Sequence, residues 1–103
     1  KDECFLSALA AGAGGAIGTT FNFMLDKYLE IYSLFRAGEN KRALEIQSAA
    51  NAATAVTLKN LLPAVKYLIG LRYGIECGGA RNPFLPLDAE LKTKLDIIAK
   101  TLF

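Results

Sequence analysis

The stretch AAGAGGAIGTTFNFML, Ala10 to Leu25, carries four glycines and no charged side chain, and it constrains the rest of the chain more than any other segment. Three structures use such a stretch. The first is a membrane span: Phe5 to Leu25 is uncharged, long enough for the ~20 residues a bilayer requires, and Gly14 and Gly18 form a GxxxG pair. Against it, the glycines and paired threonines dilute the apolar signal, and no aromatic or basic belt brackets the run. The second is a phosphate-cradling loop. A dinucleotide fingerprint would need glycine where Ile17 stands, a P-loop would need lysine where Thr19 stands, and the strand should precede the glycines. The third is a short buried strand, Gly15 to Thr20, built of small and β-branched residues.

The flanking residues favour the strand. Cys4 to Ala11 holds good helix formers, and Gly12 suits the C-terminal cap of that helix. After the glycines, Asn22 is a plausible N-cap. From Phe23 to Ala37 the residues Met24, Tyr28, Ile31 and Phe35 fall at helical spacing, with Leu25, Leu29 and Tyr32 beside them, so the predicted buried face is wide. Asp26, Lys27, Glu30 and Arg36 point away, and Gly38 ends the helix. Helix, glycine turn, short strand, loop and long helix make an α-β-α unit. In a (β/α)8 barrel, polar residues at the C-terminal ends of the strands face the active site, and Thr19, Thr20 and Asn22 hold that position here. Read without further context, the threonines are better explained as simple β-formers that satisfy backbone groups.

The remainder reads as helices. Asn40 to about Lys59 carries a stripe of Ala43, Ile46, Ala50, Ala53 and Val56, flanked by Ala49, Ala52 and Ala55, which would let a neighbour approach closely. Pro63 suits the first turn of a helix running to Tyr73, with Val65, Leu68, Ile69 and Arg72 along one side, and Gly74 stops it. GIECGGARNPFLPL is irregular, because Gly78, Gly79, Pro83 and Pro86 forbid regular structure. Asp88 caps a last helix bearing Leu91, Leu95, Ile98 and Leu102. A lone strand has no ladder for its backbone groups. Either the segment is not a strand, or its partners lie in sequence outside this chain; a first residue that is Lys1 rather than methionine favours the second expectation.

Composition narrows the chemistry. The 103 residues suffice for one modest core, and 52% hydrophobic content is that of a folding chain rather than a disordered one. A net charge of +2 gives no electrostatic case for nucleic acid or an anionic membrane. With no histidine, neither a Ser-His nor a Cys-His nucleophile can be assembled from these residues alone. Cys4 and Cys77 match no zinc spacing, and two cysteines fit a reducing, cytoplasmic compartment better than a disulfide-stapled secreted domain. No metal or cofactor is expected.

Four segments together carry a resemblance: Asp2-Glu3, then AGAGGAIGTTFN, then the LEIQ of the alanine-rich helix, then ARNPFLPL. In these the chain resembles the C-terminal part of the N-acetylneuraminate lyase family, pyruvate-dependent class I aldolases whose superfamily includes dihydrodipicolinate synthase. The resemblance covers essentially the whole chain, whereas a barrel enzyme typically has ~250 residues. It implies the end of a (β/α)8 TIM barrel over residues 1–38, with Gly15 to Thr20 as the last strand and the following helix as the last barrel helix, and a three-helix C-terminal extension over 39–103. It implies cleavage of a sialic acid to pyruvate and N-acetylmannosamine through a lysine Schiff base, with a tyrosine moving protons. Both groups come from earlier strands, so no catalytic residue is expected here and the chain alone should be inactive. The remainder of the barrel and further copies, commonly in a tetramer, are the implied partners.

The resemblance also implies a substrate-binding set: Asp2, Glu3, Gly18 and Thr19. The acidic pair matches carboxylates that hold the sugar's hydroxyls, a task suited to groups that accept several hydrogen bonds. Thr19 matches a hydroxyl in the same pocket, and Gly18 lets backbone approach the substrate. Phe21 replaces the more usual tyrosine, at the cost of a hydroxyl. Without the resemblance, Asp2-Glu3 reads as an acidic pair favoured by a helix N-terminus. Two alternatives remain: a synthase or 2-keto-3-deoxy-sugar aldolase of the same superfamily, and a non-enzymatic helical interaction module.

Overall fold

The computed structural model describes residues 1–103, and every regular element in it is helical. A single 3-10 turn, Asp2–Cys4, leads into α1 (Phe5–Ala10); α2 spans Phe21–Arg36 and α3 Asn40–Thr57. A second 3-10 turn, Leu58–Asn60, leads into α4 (Leu61–Tyr73), and α5 covers Ala89–Leu102. The chain divides into two compact units, Lys1–Ala52 and Ala53–Phe103, with the division inside α3. No helix is long and apolar enough to cross a membrane.

In the first unit α1 packs on α2. Phe5, Phe21 and Tyr28 interlock there: Phe5 meets the other two edge-on with centroids 6.0 and 5.6 Å away, and Phe21 lies 4.1 Å from Tyr28. Both glycine stops predicted for this unit are present and share one geometry. Gly12 and Gly38 have positive φ (98° and 76°), and the amides around them donate back to Leu9 and Ala8, and to Phe35 and Leu34. That is the Schellman arrangement, in which a left-handed residue turns the chain off the helix while orphan carbonyls are satisfied.

The predicted strand is absent. Residues 13–18 run without regular structure, and Ile17, expected to be buried, is 99% exposed. The physical reason is the one its isolation suggested: strand geometry persists only where a neighbour completes the ladder, and no other segment of this chain is extended beside it. The start of α2 also differs from expectation. The helix begins at Phe21, so Thr20 is the N-cap and Asn22 lies in the first turn, its side-chain amide donating 2.9 Å back to the Thr19 carbonyl. The opening turn is tight, with Phe21 and Asn22 donating to Gly18 and Thr19, and Met24 breaks the helical path at φ −139°.

Met24, Tyr28 and Ile31 are buried as expected, with Phe23, while Phe35 is only half-buried. Leu25, Leu29 and Tyr32, expected to widen that face, remain exposed. On α3 the buried row differs too. Ala43, Ala50 and Ala53 are buried, but Ile46 and Val56 sit at the margin and Ala49, Ala52 and Ala55 face outward. Gln47, Thr54 and Thr57 take the inner positions instead. Polar side chains are tolerated there because they are paired. Thr57, for example, bonds the Ala53 carbonyl at 2.7 Å.

In the second unit α4 packs against α5. Pro63 falls in the first turn of α4, where its missing N–H removes no helical bond. Gly74, at φ 68°, closes the helix with its amide 2.9 Å from the Gly70 carbonyl. Val65, Leu68, Leu91, Leu95 and Ile98 form the core; Ile69 and Leu102 lie at its edge. Asp88 caps α5 as predicted, accepting from the Leu91 amide at 2.7 Å. The segment from Gly74 to Leu87 is irregular yet tied down: Lys66 donates to the carbonyls of Cys77 and Gly79, and Asn60 to that of Leu85. A cleft of about 490 Å³ opens between this segment and α4.

One side-chain pair in this unit has a pH signature. Tyr67 donates 2.8 Å to Asp96, and that bond, with lesser contributions from burial and the aspartate's charge, raises the Tyr67 pKa above its ordinary value near 10.0. A raised tyrosine pKa favours the neutral phenol in the folded state. The stabilisation is therefore complete below pH ~10 and fades as the pH rises through the folded pKa. Alkaline titration of phenol absorbance should show a component above the ordinary tyrosine range, and Tyr67→Phe should reduce it by one phenol's amplitude at a stability cost of about 1 kcal/mol. A high-pH component of undiminished amplitude in the variant would disprove the assignment.

Candidate functional site

The acidic pair lies in the 3-10 turn that opens the first unit, and the fold brings the glycine-threonine segment back onto it. Thr20 donates to the Asp2 carboxylate twice, from its backbone amide (3.1 Å) and from its hydroxyl (2.6 Å). The Tyr28 hydroxyl lies 3.0 Å from the Thr20 hydroxyl. Since a carboxylate only accepts, the threonine proton goes to Asp2 and the tyrosine proton to Thr20. Thr20 and Tyr28 are each 2% exposed, so the chain Tyr28 to Thr20 to Asp2 is sheltered and directional.

Gly18 belongs to the same arrangement. A Cβ there would fall on the Asp2 carboxylate group, among its carbon and both oxygens. Within this chain, the group admitted by the missing side chain is thus the Asp2 carboxylate. Gly18 has no positive φ, so space rather than backbone conformation demands glycine.

A second set of contacts holds the backbone of the acidic pair from α3. Gln47, 3% exposed, accepts from the Leu6 amide at 3.0 Å and donates to the Asp2 carbonyl at 3.3 Å and to the Asn51 side-chain oxygen at 2.8 Å. Asn51 in turn donates to the Glu3 carbonyl at 3.2 Å. The Leu6 amide fixes which way the Gln47 amide points, because only the oxygen can receive it. The two residues are one helical turn apart, where side chains share a face.

Asp2 and Gly18 are thus in direct apposition, and Glu3 and Thr19 adjoin them in the chain. Glu3 and Thr19 use their carbonyls within the fold, while the Glu3 carboxylate and the Thr19 hydroxyl make no hydrogen bond or ion pair to the rest of the chain. Sequence reasoning assigned no role to Gln47, Asn51 or Tyr28 here. The available signal was a glutamine at the centre of an alanine row with an asparagine four residues on. Nowhere do three or more His, Cys, Asp or Glu side chains gather as a metal site. Apart from Lys1, each lysine rises from a helix or 3-10 turn. Lys66, the one among them that binds backbone carbonyls in the second unit's cleft, spends its donors on the loop.

The sequence that builds this arrangement has clear relatives. Residues 1–102 match the dihydrodipicolinate synthetase family. The chain is 36% identical over 103 residues to N-acetylneuraminate lyase of Rhizobium meliloti, covering 98% of this chain and 34% of that protein. It is 34% identical to N-acetylneuraminate lyase 2 of Escherichia coli O6:H1 (99% and 34% covered) and 38% identical to N-acetylneuraminate lyase of Pasteurella multocida (98% and 33% covered). The chain belongs to the dihydrodipicolinate synthetase family, one of pyruvate-dependent class I aldolases and lyases built on the TIM barrel. It spans about a third of the length of the curated relatives it matches.

Proposed function

We propose that this chain is the C-terminal part of a sialic acid aldolase, which cleaves N-acetylneuraminate to pyruvate and N-acetylmannosamine. Residues 1–38 complete the barrel and 39–103 form the helical extension. The observation that supports the proposal is the apposition of the acidic turn and the Gly18–Thr20 return, in which Asp2 meets Gly18 and Thr20, with Glu3 and Thr19 next to them in the chain. Their chemistry suits a polyol: carboxylate and hydroxyl oxygens accept and exchange hydrogen bonds with successive sugar hydroxyls. In this reading Glu3 and Thr19 present their side chains to the sugar, and Asp2 adds whatever accepting capacity Thr20 leaves it.

The bond-breaking groups lie outside this chain. A lysine there forms the Schiff base with the keto carbon, converting it into an electron sink for the retro-aldol step, and a tyrosine moves the proton. The role of these residues is to bind and orient the sugar tail, which lowers the barrier by fixing the geometry of the reacting bond. The active form is a cytoplasmic homo-oligomer in which the rest of the barrel flanks this segment.

The test is a product assay on the full-length protein with N-acetylneuraminate and with a 2-keto-3-deoxy sugar acid lacking the N-acetyl group. Release of pyruvate and N-acetylmannosamine at a higher kcat/KM than for the second substrate is expected, and no release from the 103-residue chain alone. Preference for the second substrate, or synthase activity instead, would move the protein elsewhere in its superfamily. Turnover by the isolated chain would overturn the division of labour.

A further inference from the structure

Gln47 stands out on α3. It is almost wholly buried at the centre of an alanine row, where an apolar residue would bury more hydrophobic surface without needing partners. Its amide is fully matched: one acceptor and both donor positions are used, and two of its three partners are backbone groups of the acidic segment. Asn51 supplies the third partner and adds a bond to the backbone of Glu3. These contacts join residues 41, 45 and 48 positions apart. They are made to main-chain atoms, so they specify where the segment lies, whatever its side chains.

That segment needs fixing. It is a single 3-10 turn followed by a helix of six residues, far shorter than a helix that persists alone. Bonds from α3 to its carbonyls and to the Leu6 amide remove the backbone freedom that would otherwise let the Glu3 carboxylate wander. Thr20 does the same for the Asp2 side chain from the opposite direction. The pair is thereby held by its backbone on one side and by one carboxylate on the other, leaving the Glu3 carboxylate on a fixed mount.

We propose that Gln47 and Asn51 are positioning residues for the sugar: they set the place of Glu3, and through it the affinity for the substrate's hydroxyl-bearing tail. The proposal rests on the sugar-acid aldolase reading above. Its consequence is selective. Sugar binding depends on the mount, whereas formation of the Schiff base with pyruvate, made elsewhere in the barrel, does not.

The experiment uses the full-length protein carrying Asn51→Ala, Asn51→Asp or Gln47→Leu. Asn51→Asp keeps the shape of the side chain and replaces the donor to the Glu3 carbonyl by an acceptor, so packing is preserved while the bond is lost. For each variant the KM for N-acetylneuraminate is expected to rise by about tenfold, with kcat within about twofold of wild type. Trapping of pyruvate by borohydride should be unchanged. Combining Asn51→Ala with Gln47→Leu should raise the KM little further, because the two residues act as one network. An unchanged KM in both Asn51 variants would overturn the proposal. So would a parallel fall in kcat and pyruvate trapping at constant KM, which is the mark of a purely structural role. A wild-type protein that traps pyruvate but turns over no sugar acid would overturn the aldolase reading and this proposal together; a wild type active on the sugar with unaffected variants overturns this proposal alone.

Discussion

Gly18→Ala is expected to break the support of the acidic turn from the threonine side. The added methyl falls on the Asp2 carboxylate, which must swing away and forfeit both bonds from Thr20. Hydrogen bonds to charged groups are worth about 1.5–3 kcal/mol each. Part of the loss is recovered when Asp2 turns toward water, so a net cost of about 2–4 kcal/mol is expected. Hydrogen exchange at the Thr20 amide reads this locally, since that N–H is one of the bonds lost. A weakening of 2 kcal/mol accelerates exchange by about thirtyfold. The double variant gives a control. In an Asp2→Ala background the obstacle is gone, and Gly18→Ala should then cost less than about 0.5 kcal/mol. An equal cost in both backgrounds would show that the glycine serves something other than the carboxylate.

The 103-residue chain alone is expected to self-associate. Of the predicted buried face of α2, Met24, Tyr28 and Ile31 are covered within the chain, whereas Leu25, Leu29 and Tyr32 face outward. These three lie at spacings of four and three, one contiguous apolar face, and the segment before them exposes Ile17 almost completely. A contiguous apolar helix face with no cover is an association site in water. Light scattering should show oligomers that grow with concentration, and Leu25→Lys with Leu29→Lys should shift them to monomer. A clean monomer at high concentration in the unmodified chain would contradict this.

The sequence was informative wherever a local rule fixes local geometry. Gly12, Gly38 and Gly74 end helices because a left-handed residue is needed there, and Asp88 caps α5 because its carboxylate reaches the amide three residues on. It misled where the outcome depends on neighbours. Gly15 to Thr20 has a strand's composition, but a strand is a property of at least two segments, and a single segment in this chain stays irregular. On α3 the alanines indicated an inward face, yet hydrophobicity could not show that Gln47, rather than Ile46, turns inward. That choice depends on the carbonyls of Asp2 and Glu3, more than forty positions earlier. The site residues Asp2, Glu3, Gly18 and Thr19 came from resemblance, and no spacing rule would have singled them out. The apposition of Asp2 with Gly18 and Thr20 emerged only in three dimensions.

The central claim, that these residues belong to a Schiff-base aldolase whose lysine lies elsewhere, is tested most directly by trapping. The full-length protein is incubated with pyruvate and borohydride, digested, and its peptides mapped by mass spectrometry. A reduced pyruvate adduct on one lysine outside Lys1 to Phe103, formed on the same lysine when N-acetylneuraminate replaces pyruvate, is the predicted result. An adduct on a lysine within this chain, or none on the intact protein, would contradict it.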